Sequence, residues 1–338
     1  MWDKIAGHIS ETTGETFSLD NRHSVSGGCI NQGYSISSSS RAYFAKINQA
    51  SQIAMFEAEA LGLQQMRATQ TIRVPEPICW GTEGNSAYIV LEWLDLASRG
   101  GERAWEEMGR KLAAMHKYTP PNPPLLRGAQ ERNSTLLRGG EESNSTLLRG
   151  GEERNSTLLR GGEERNSTLL RGVFGWDINN TIGSTVQINN WTANWAEFWA
   201  EHRIGYQLQL ARRRGGNFSQ GETLLAAIPK LLEGYKPQPS LVHGDLWGGN
   251  ASVTAAGEPV IFDPAAYWGD REVDIAMTEL FGGFSPAFYR GYNEVWLLDS
   301  GYEKRKTLYN LYHILNHFNL FGGSYESQAN QMIDRILG

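Results

Sequence analysis

The tetrapeptide Leu-Leu-Arg-Gly returns at positions 125, 136, 147, 158 and 169, and it limits what the whole chain can fold into. The repeating unit is close to Leu-Leu-Arg-Gly-Gly-Glu-Glu-Arg-Asn-Ser-Thr, a period of eleven. Such a period can wind a right-handed helical supercoil. Paired glycines in most units oppose this, since each costs about 1 kcal/mol relative to alanine inside a helix. Each unit also offers just two apolar residues, too few to bury a face. Residues 125–172 are therefore expected to be a low-complexity insertion in a surface loop, and the core must come from the flanks. The Asn-Ser-Thr triplets match a glycosylation acceptor, which has no meaning in a cytoplasmic chain.

Charge and cysteine content narrow the function classes. The 338 residues carry 31 Lys and Arg against 37 Asp and Glu, a net charge of −6. A nucleic-acid partner is not expected, because neutralising phosphates needs clustered cations. The one short basic run, Arg212-Arg213-Arg214, reads as the capped end of a helix. Two cysteines, Cys29 and Cys79, are too few for a disulfide scaffold and point to a reducing cytoplasm. No apolar run approaches the roughly 20 residues of a membrane span. The start, Met1-Trp2-Asp3-Lys4, lacks the pattern of a secretion signal. The expectation is a cytoplasmic protein with no membrane partner.

The flanks carry the periodicities of folded elements. Tyr34–Ile36 and Ala42–Ile47 read as short strands, and Ala87–Leu94 as a buried strand. Residues 55–68 read as a helix. Trp105, Met108, Leu112 and Met115 stand at helical spacing. Trp195 to Leu210 forms one longer helix, with further helices through Leu224–Leu232 and Leu308–Phe318. A strand-rich first part followed by a helix-rich second part is a two-lobed α+β pattern. Its boundary is expected near residue 95, giving lobes 1–94 and 95–338, the second interrupted by 125–172.

The chemistry concentrates in Leu241-Val242-His243-Gly244-Asp245-Leu246-Trp247-Gly248-Gly249-Asn250, followed by Val260-Ile261-Phe262-Asp263. The pattern is His-x-Asp-x-x-x-x-Asn, then an apolar strand ending in Asp. Phosphoryl transfer needs that set. One carboxylate orients or takes the proton of an attacking hydroxyl, while an amide oxygen and a second carboxylate hold Mg²⁺ against nucleotide phosphates. Mg²⁺ is hard and prefers such oxygen ligands. Glycines at 244, 248 and 249 let the loop turn sharply. His-Gly-Asp alone is a common turn; the spacing to Asn250 and Asp263 lifts it to a kinase reading.

A kinase also needs a nucleotide site. Val25-Ser26-Gly27-Gly28-Cys29-Ile30-Asn31 offers a glycine turn whose backbone N–H groups can cover phosphates. Lys46, at the end of an alternating strand, can reach the α- and β-phosphates. Glu59, on the next helix, can hold Lys46 in place. Glu57 competes, but two helical residues are about 200° apart, so only one can face Lys46; Glu59 fits the apolar face better. The backbone of Glu92, Trp93 and Leu94 stands at the lobe boundary, where an adenine pocket is expected. Cys29 is a small packing residue or a thiol whose oxidation locks the loop.

Taken together, these segments resemble the fructosamine kinase (ketosamine-3-kinase) family, relatives of the aminoglycoside phosphotransferases with a protein-kinase-like fold. The resemblance rests on Ser26–Asn31, Phe44–Ile47, Met55–Leu63, Asn180–Thr185 with Gln187, the His243–Asn250 loop with its Trp247-Gly248-Gly249 filling, and Trp268–Phe284 with Gly269-Asp270-Arg271-Glu272. It implies ATP-dependent phosphorylation of the 3-hydroxyl of a ketosamine, on small molecules or glycated protein lysines. The ester then decomposes and frees the amine. By resemblance Asp245 is the catalytic base, Asn250 and Asp263 are metal ligands, and Trp247 walls the sugar pocket. Asp270, Arg271 and Glu272 contact substrate or, with Asp274, form a buried network bracing the metal loop. Two departures stand out: the repeat replaces a short connection, and Val186 stands where the family's Ser-Thr-Pro-Gln run has proline. Two other readings remain open. One is a phosphotransferase for another small hydroxyl compound, such as an aminoglycoside or a choline-like amine. The other is a non-catalytic nucleotide-binding scaffold.

Overall fold

Alternation of side chains shapes the first third of the chain. In β3 (Ala42–Gln49), Tyr43, Ala45 and Ile47 are buried on one face, which leaves Phe44 and Lys46 to the other. The computed structural model describes residues 1–25, 30–97, 100–119 and 174–338. Gly27, Gly28, Cys29 and the repeat at 125–172 lie outside the described residues.

The chain opens with α1 (Trp2–Thr13), β1 (Asn21–Val25), β2 (Gln32–Ser37) and β3. Next come α2 (Ile53–Ala68), β4 (Pro77–Glu83) and β5 (Ser86–Glu92). The strands form one antiparallel sheet in the order β1-β2-β3-β5-β4. β5 is apolar on both faces. Ala87, Ile89 and Leu91 join the main core with α2, while Tyr88 and Val90 join a second cluster under α1 with Ile5, Ile9 and Ile36. The main core runs past residue 95 and includes α3 and the later helices.

The second part begins with α3 (Glu102–Lys117) and a hairpin of β6 (Asn180–Ile182) and β7 (Thr185–Gln187). α4 (Trp195–Phe198) starts from Asn194, whose side chain accepts from the Ala196 and Glu197 amides. The helix expected from Trp195 to Leu210 is not uniform. Trp199–Gly205 is π-wound before α5 (Tyr206–Arg213), and the wider turn carries Arg203 into the interior. As expected, the basic run closes this helix: Arg212 and Arg213 fill its last turn, and Arg214 donates to the Asn319 carbonyl. Then come α6 (Gly221–Leu231), β8 (Pro239–Val242), β9 (Ala251–Val253), β10 (Pro259–Ile261), β11 (Tyr267–Asp270), α7 (Glu272–Leu280), α8 (Pro286–Val295), α9 (Tyr302–Phe321) and α10 (Tyr325–Leu337). No helix among the described residues is long and apolar enough to cross a membrane.

Two short ribbons frame the loops that carry the motif residues. β8 pairs with β11, and β9 with β10, both antiparallel. Residues 243–250 join β8 to β9, and residues 262–266 join β10 to β11. The two connections therefore run side by side between the same ribbons.

α3 and α8 touch backbone to backbone. A Cβ on Gly109 would lie 2.0 Å from the Phe288 carbonyl oxygen, and one on Gly291 1.9 Å from the Glu106 carbonyl oxygen. Neither obstacle is a flexible side chain, so Gly109→Ala must push the helices apart. It is expected to cost about 1–3 kcal/mol or more, read as a lower urea midpoint with an unchanged slope.

Candidate active site

Lys46 and Glu59 meet as expected. The Lys46 ammonium lies 2.6 Å from Glu59 Oε1 and 2.5 Å from Asp263 Oδ1. Glu57 is exposed, so the helix phase decides between the two glutamates. Burial alone would lower the Lys46 pKa, but the carboxylates of Asp263 and Glu59 outweigh it and hold the pKa above its ordinary value. The lysine thus keeps its positive charge while almost wholly enclosed. Asp263 is one of two described non-glycine residues with positive φ, at 60°. Its side chain is 45% exposed.

The connection between β8 and β9 is held by its own side chains. Asn250 donates from Nδ2 to the Asp245 carbonyl (2.9 Å) and to Asp245 Oδ2 (3.2 Å). His243 Nε2 lies 2.9 Å from the Phe262 carbonyl and must donate there, so Nδ1 accepts the Asp245 amide at 3.3 Å. His243 is buried and its pKa is lowered by desolvation, which keeps this neutral tautomer. Of the three loop glycines, Gly244 alone uses a left-handed conformation (φ 79°). A Cβ there would also strike the Ala265 carbonyl oxygen at 2.2 Å. Gly249 serves differently: a Cβ would lie 2.3 Å from the Trp247 indole, so the bare backbone seats the ring. Trp247 is 41% exposed.

Asp245 is half-buried at the mouth of the loop. Desolvation, then the charge of Asp263, raises its pKa to about 7; the Asn250 hydrogen bond opposes this. A carboxylate poised there suits a base working near neutrality.

The donor set fits a hard divalent cation. The amide hydrogens of Asn250 are spent on Asp245, which fixes the flip and leaves Oδ1 as an acceptor. Asp263 offers a second, half-exposed carboxylate. Among the described residues, no cluster of three or more His, Cys, Asp or Glu can hold a metal. A cation here would draw its remaining ligands from phosphate and water, as Mg²⁺ commonly does.

Other expected site residues are placed differently. Glu92 has its amide committed to the Glu76 carbonyl (2.8 Å) and its carboxylate to Arg73 (2.5 Å), so it offers adenine no backbone donor. Trp93 and Leu94 lie beyond the end of β5, and among the described residues their amides have no partner. Asn31 Oδ1 accepts from Asn48 Nδ2 at 2.7 Å, which ties it to the end of β3.

Of the two readings of Asp270, Arg271 and Glu272, substrate contact is corrected in favour of the buried network, because all three are buried and satisfied by partners from distant segments. Asp270 accepts from the hydroxyls of Tyr309 (2.6 Å) and Tyr235 (3.2 Å). Glu272 accepts a two-pronged pair from Arg305 (2.8 and 2.9 Å). Arg271 donates to the carbonyls of Trp296 (3.0 Å) and Leu297 (2.7 Å) and stacks on the Trp296 ring. The bracing role falls to Asp274. Its two oxygens accept the amides of His243 (2.7 Å) and Gly244 (2.8 Å), and Oδ2 also bonds to His116 Nε2 (3.0 Å). His116 was not expected here. Its signal is its place four residues after Leu112, on the buried stripe of α3.

A sheet with an internal Lys–Glu pair, set against a helical part whose loop carries an Asp–Asn couple and a second Asp, defines a phosphotransferase of the protein-kinase-like fold. Aminoglycoside phosphotransferase APH(4)-Ia matches over 100% of this chain and 98% of its own with a TM-score of 0.56; at 13% identity this speaks for fold alone. The chain belongs to the fructosamine kinase family, whose profile matches residues 1–123 and 166–338 and leaves most of the repeat unmatched. A Haemophilus somnus protein assigned as a fructosamine-3-kinase has a TM-score of 0.80 at 27% identity, covering 100% of this chain and 98% of that one. In sequence, a Synechocystis relative named "Probable ketoamine kinase" is 49% identical over 336 residues, 99% of this chain and 97% of the relative. The Arabidopsis thaliana chloroplastic protein-ribulosamine 3-kinase is 38% identical over 330 residues, 96% of this chain and 85% of the relative.

Proposed function

We propose that this chain is an ATP-dependent ketosamine 3-kinase that serves protein deglycation. One observation supports it above the rest: Lys46 reaches Asp263, and Phe262 beside it donates its amide to the carbonyl of Asn250, whose side chain in turn holds Asp245. In this reading Asp245 accepts the proton of the attacking 3-hydroxyl. Lys46, held by Glu59, neutralises the α- and β-phosphates. Gly27 and Gly28 cover the phosphates with backbone amides, and adenine sits against Trp93 and Leu94. Asn250 and Asp263 hold Mg²⁺, which, when bound, screens the charge on the triphosphate. Trp247 offers its indole face to the C–H face of the sugar. Residues 1–94 are the nucleotide lobe and 95–338 the acceptor lobe, and the cytoplasm is the site of action.

The test is ATP consumption against synthetic fructosamines, ribulosamines and erythrulosamines, with phosphate located at the 3-hydroxyl. Phosphorylation of aminoglycosides or choline-like amines, with none of ketosamines, overturns the assignment. A non-catalytic scaffold would bind ATP and consume none with any acceptor, and ATP turnover with no acceptor dependence would also count against the assignment. The pH profile adds a second check. Asp245 must be ionised to act, so kcat/KM is expected to fall tenfold per pH unit below an apparent pKa near 7.

A further inference from the structure

The β6–β7 hairpin carries two buried amides, Asn180 and Gln187, that the proposed chemistry does not use. Gln187 Nε2 donates to the Ala265 carbonyl (3.0 Å) and to Asn180 Oδ1 (2.8 Å), while its Oε1 accepts the Tyr312 hydroxyl (2.7 Å). Asn180 Nδ2 donates to the Ala266 carbonyl (2.8 Å), and its Oδ1 also accepts from Asn189 Nδ2 (2.8 Å). Asn189 in turn accepts from Arg203 Nη2 (2.9 Å). Every amide flip in this relay is fixed, since each oxygen faces donors and each nitrogen faces carbonyls. The two carbonyls that end it belong to the residues two and three places after Asp263.

The same short segment is gripped from its other side. The Ala265 amide donates to the His243 carbonyl (2.8 Å), and the Phe262 carbonyl takes the His243 ring. Asp263 thus sits at positive φ inside a stretch clamped between the base loop and the hairpin. A left-handed aspartate persists where its surroundings over-determine it. The hairpin tip reaches the nucleotide side as well: a Cβ on Gly183 would meet Leu320 Cδ1 at 2.9 Å and Ile30 Cδ1 at 3.6 Å.

We infer that Asn180 and Gln187 are positioning residues that set the carboxylate of Asp263 for its cation. The inference rests on the reading of Asp263 as a metal ligand. The hairpin amides thereby fix the geometry at which the nucleotide-bound cation is received.

The experiment is calorimetric binding of ADP by the full chain, with Mg²⁺ titrated from zero. Wild type is expected to bind ADP more tightly as Mg²⁺ is added. Gln187→Met keeps volume but loses both donors. It is expected to bind ADP without Mg²⁺ within twofold of wild type, yet to need at least tenfold more Mg²⁺ for half of the gain. Tyr312→Phe removes only the donor to Gln187 and decides the matter should Gln187→Met not fold; about a threefold shift is expected. Variants that fold, bind ADP and show wild-type Mg²⁺ half-saturation overturn the inference alone. A wild type whose ADP affinity ignores Mg²⁺ overturns the reading of Asp263 along with it.

Discussion

Asp245→Asn is expected to lower turnover by about 10²–10⁴-fold, the usual worth of a positioned base, and at the same time to make the protein more stable above pH 7. The second effect arises from the same environment as the first. Burial and the neighbouring Asp263 raise the Asp245 pKa from 3.8 to about 7. A carboxyl raised in the folded state contributes stability that is fully present below its unfolded pKa and lost as pH rises through its folded one. Between roughly pH 4 and 7 the native protein therefore gives up stability that a neutral amide would keep. Melting curves of the two proteins should coincide near pH 4 and separate by a few degrees at pH 8, since 1 kcal/mol is about 2–4 °C for a domain of this size class. A variant less stable than wild type at pH 8 would show that Asp245 is ionised there without cost, and would remove the basis for its elevated pKa.

Lys46→Met carries the largest expected loss of stability. It strands Glu59, buried beside the ammonium at 2.6 Å, with no counter-charge. Breaking a buried pair from one side costs about 3–5 kcal/mol. Turnover should fall by on the order of 10²–10³-fold with the loss of a fixed charge on the phosphates. Adding Glu59→Gln should restore much of the stability and none of the turnover. Urea unfolding of the four proteins of this cycle separates the two effects. Additive losses of stability would mean the pair is not coupled, contrary to the geometry.

The parts of the site legible in the sequence are those whose chemistry sits in a short motif or a single periodicity. Asp245, Asn250 and Asp263 stand in one stretch of loop and strand, and Lys46 with Glu59 is readable from strand and helix phase. What the sequence hid depends on burial. Gly-Asp-Arg-Glu leaves substrate contact and a buried network both open, and burial decides for the network: Tyr309, Arg305 and the carbonyls after α8 satisfy these charges inside the protein. Only distant segments supply those partners, so no local pattern announces them. The engagement of Glu92 was hidden for a similar reason, because Glu76 takes its amide and Arg73 its carboxylate from elsewhere in the chain. The helix through Trp199 read correctly as helical, but its π-winding leaves no mark in apolar spacing.

Because both connections hang between the β8/β11 and β9/β10 ribbons, Asp245, Asn250 and Asp263 arise within one neighbourhood of the polypeptide. The Lys46–Asp263 contact spans 217 residues by comparison. Chain-closure entropy therefore weighs on the ammonium's arrival and hardly at all on the assembly of the acids. Local opening of the N-terminal sheet would release Lys46 first, leaving Asp245, Asn250 and Asp263 already built and waiting.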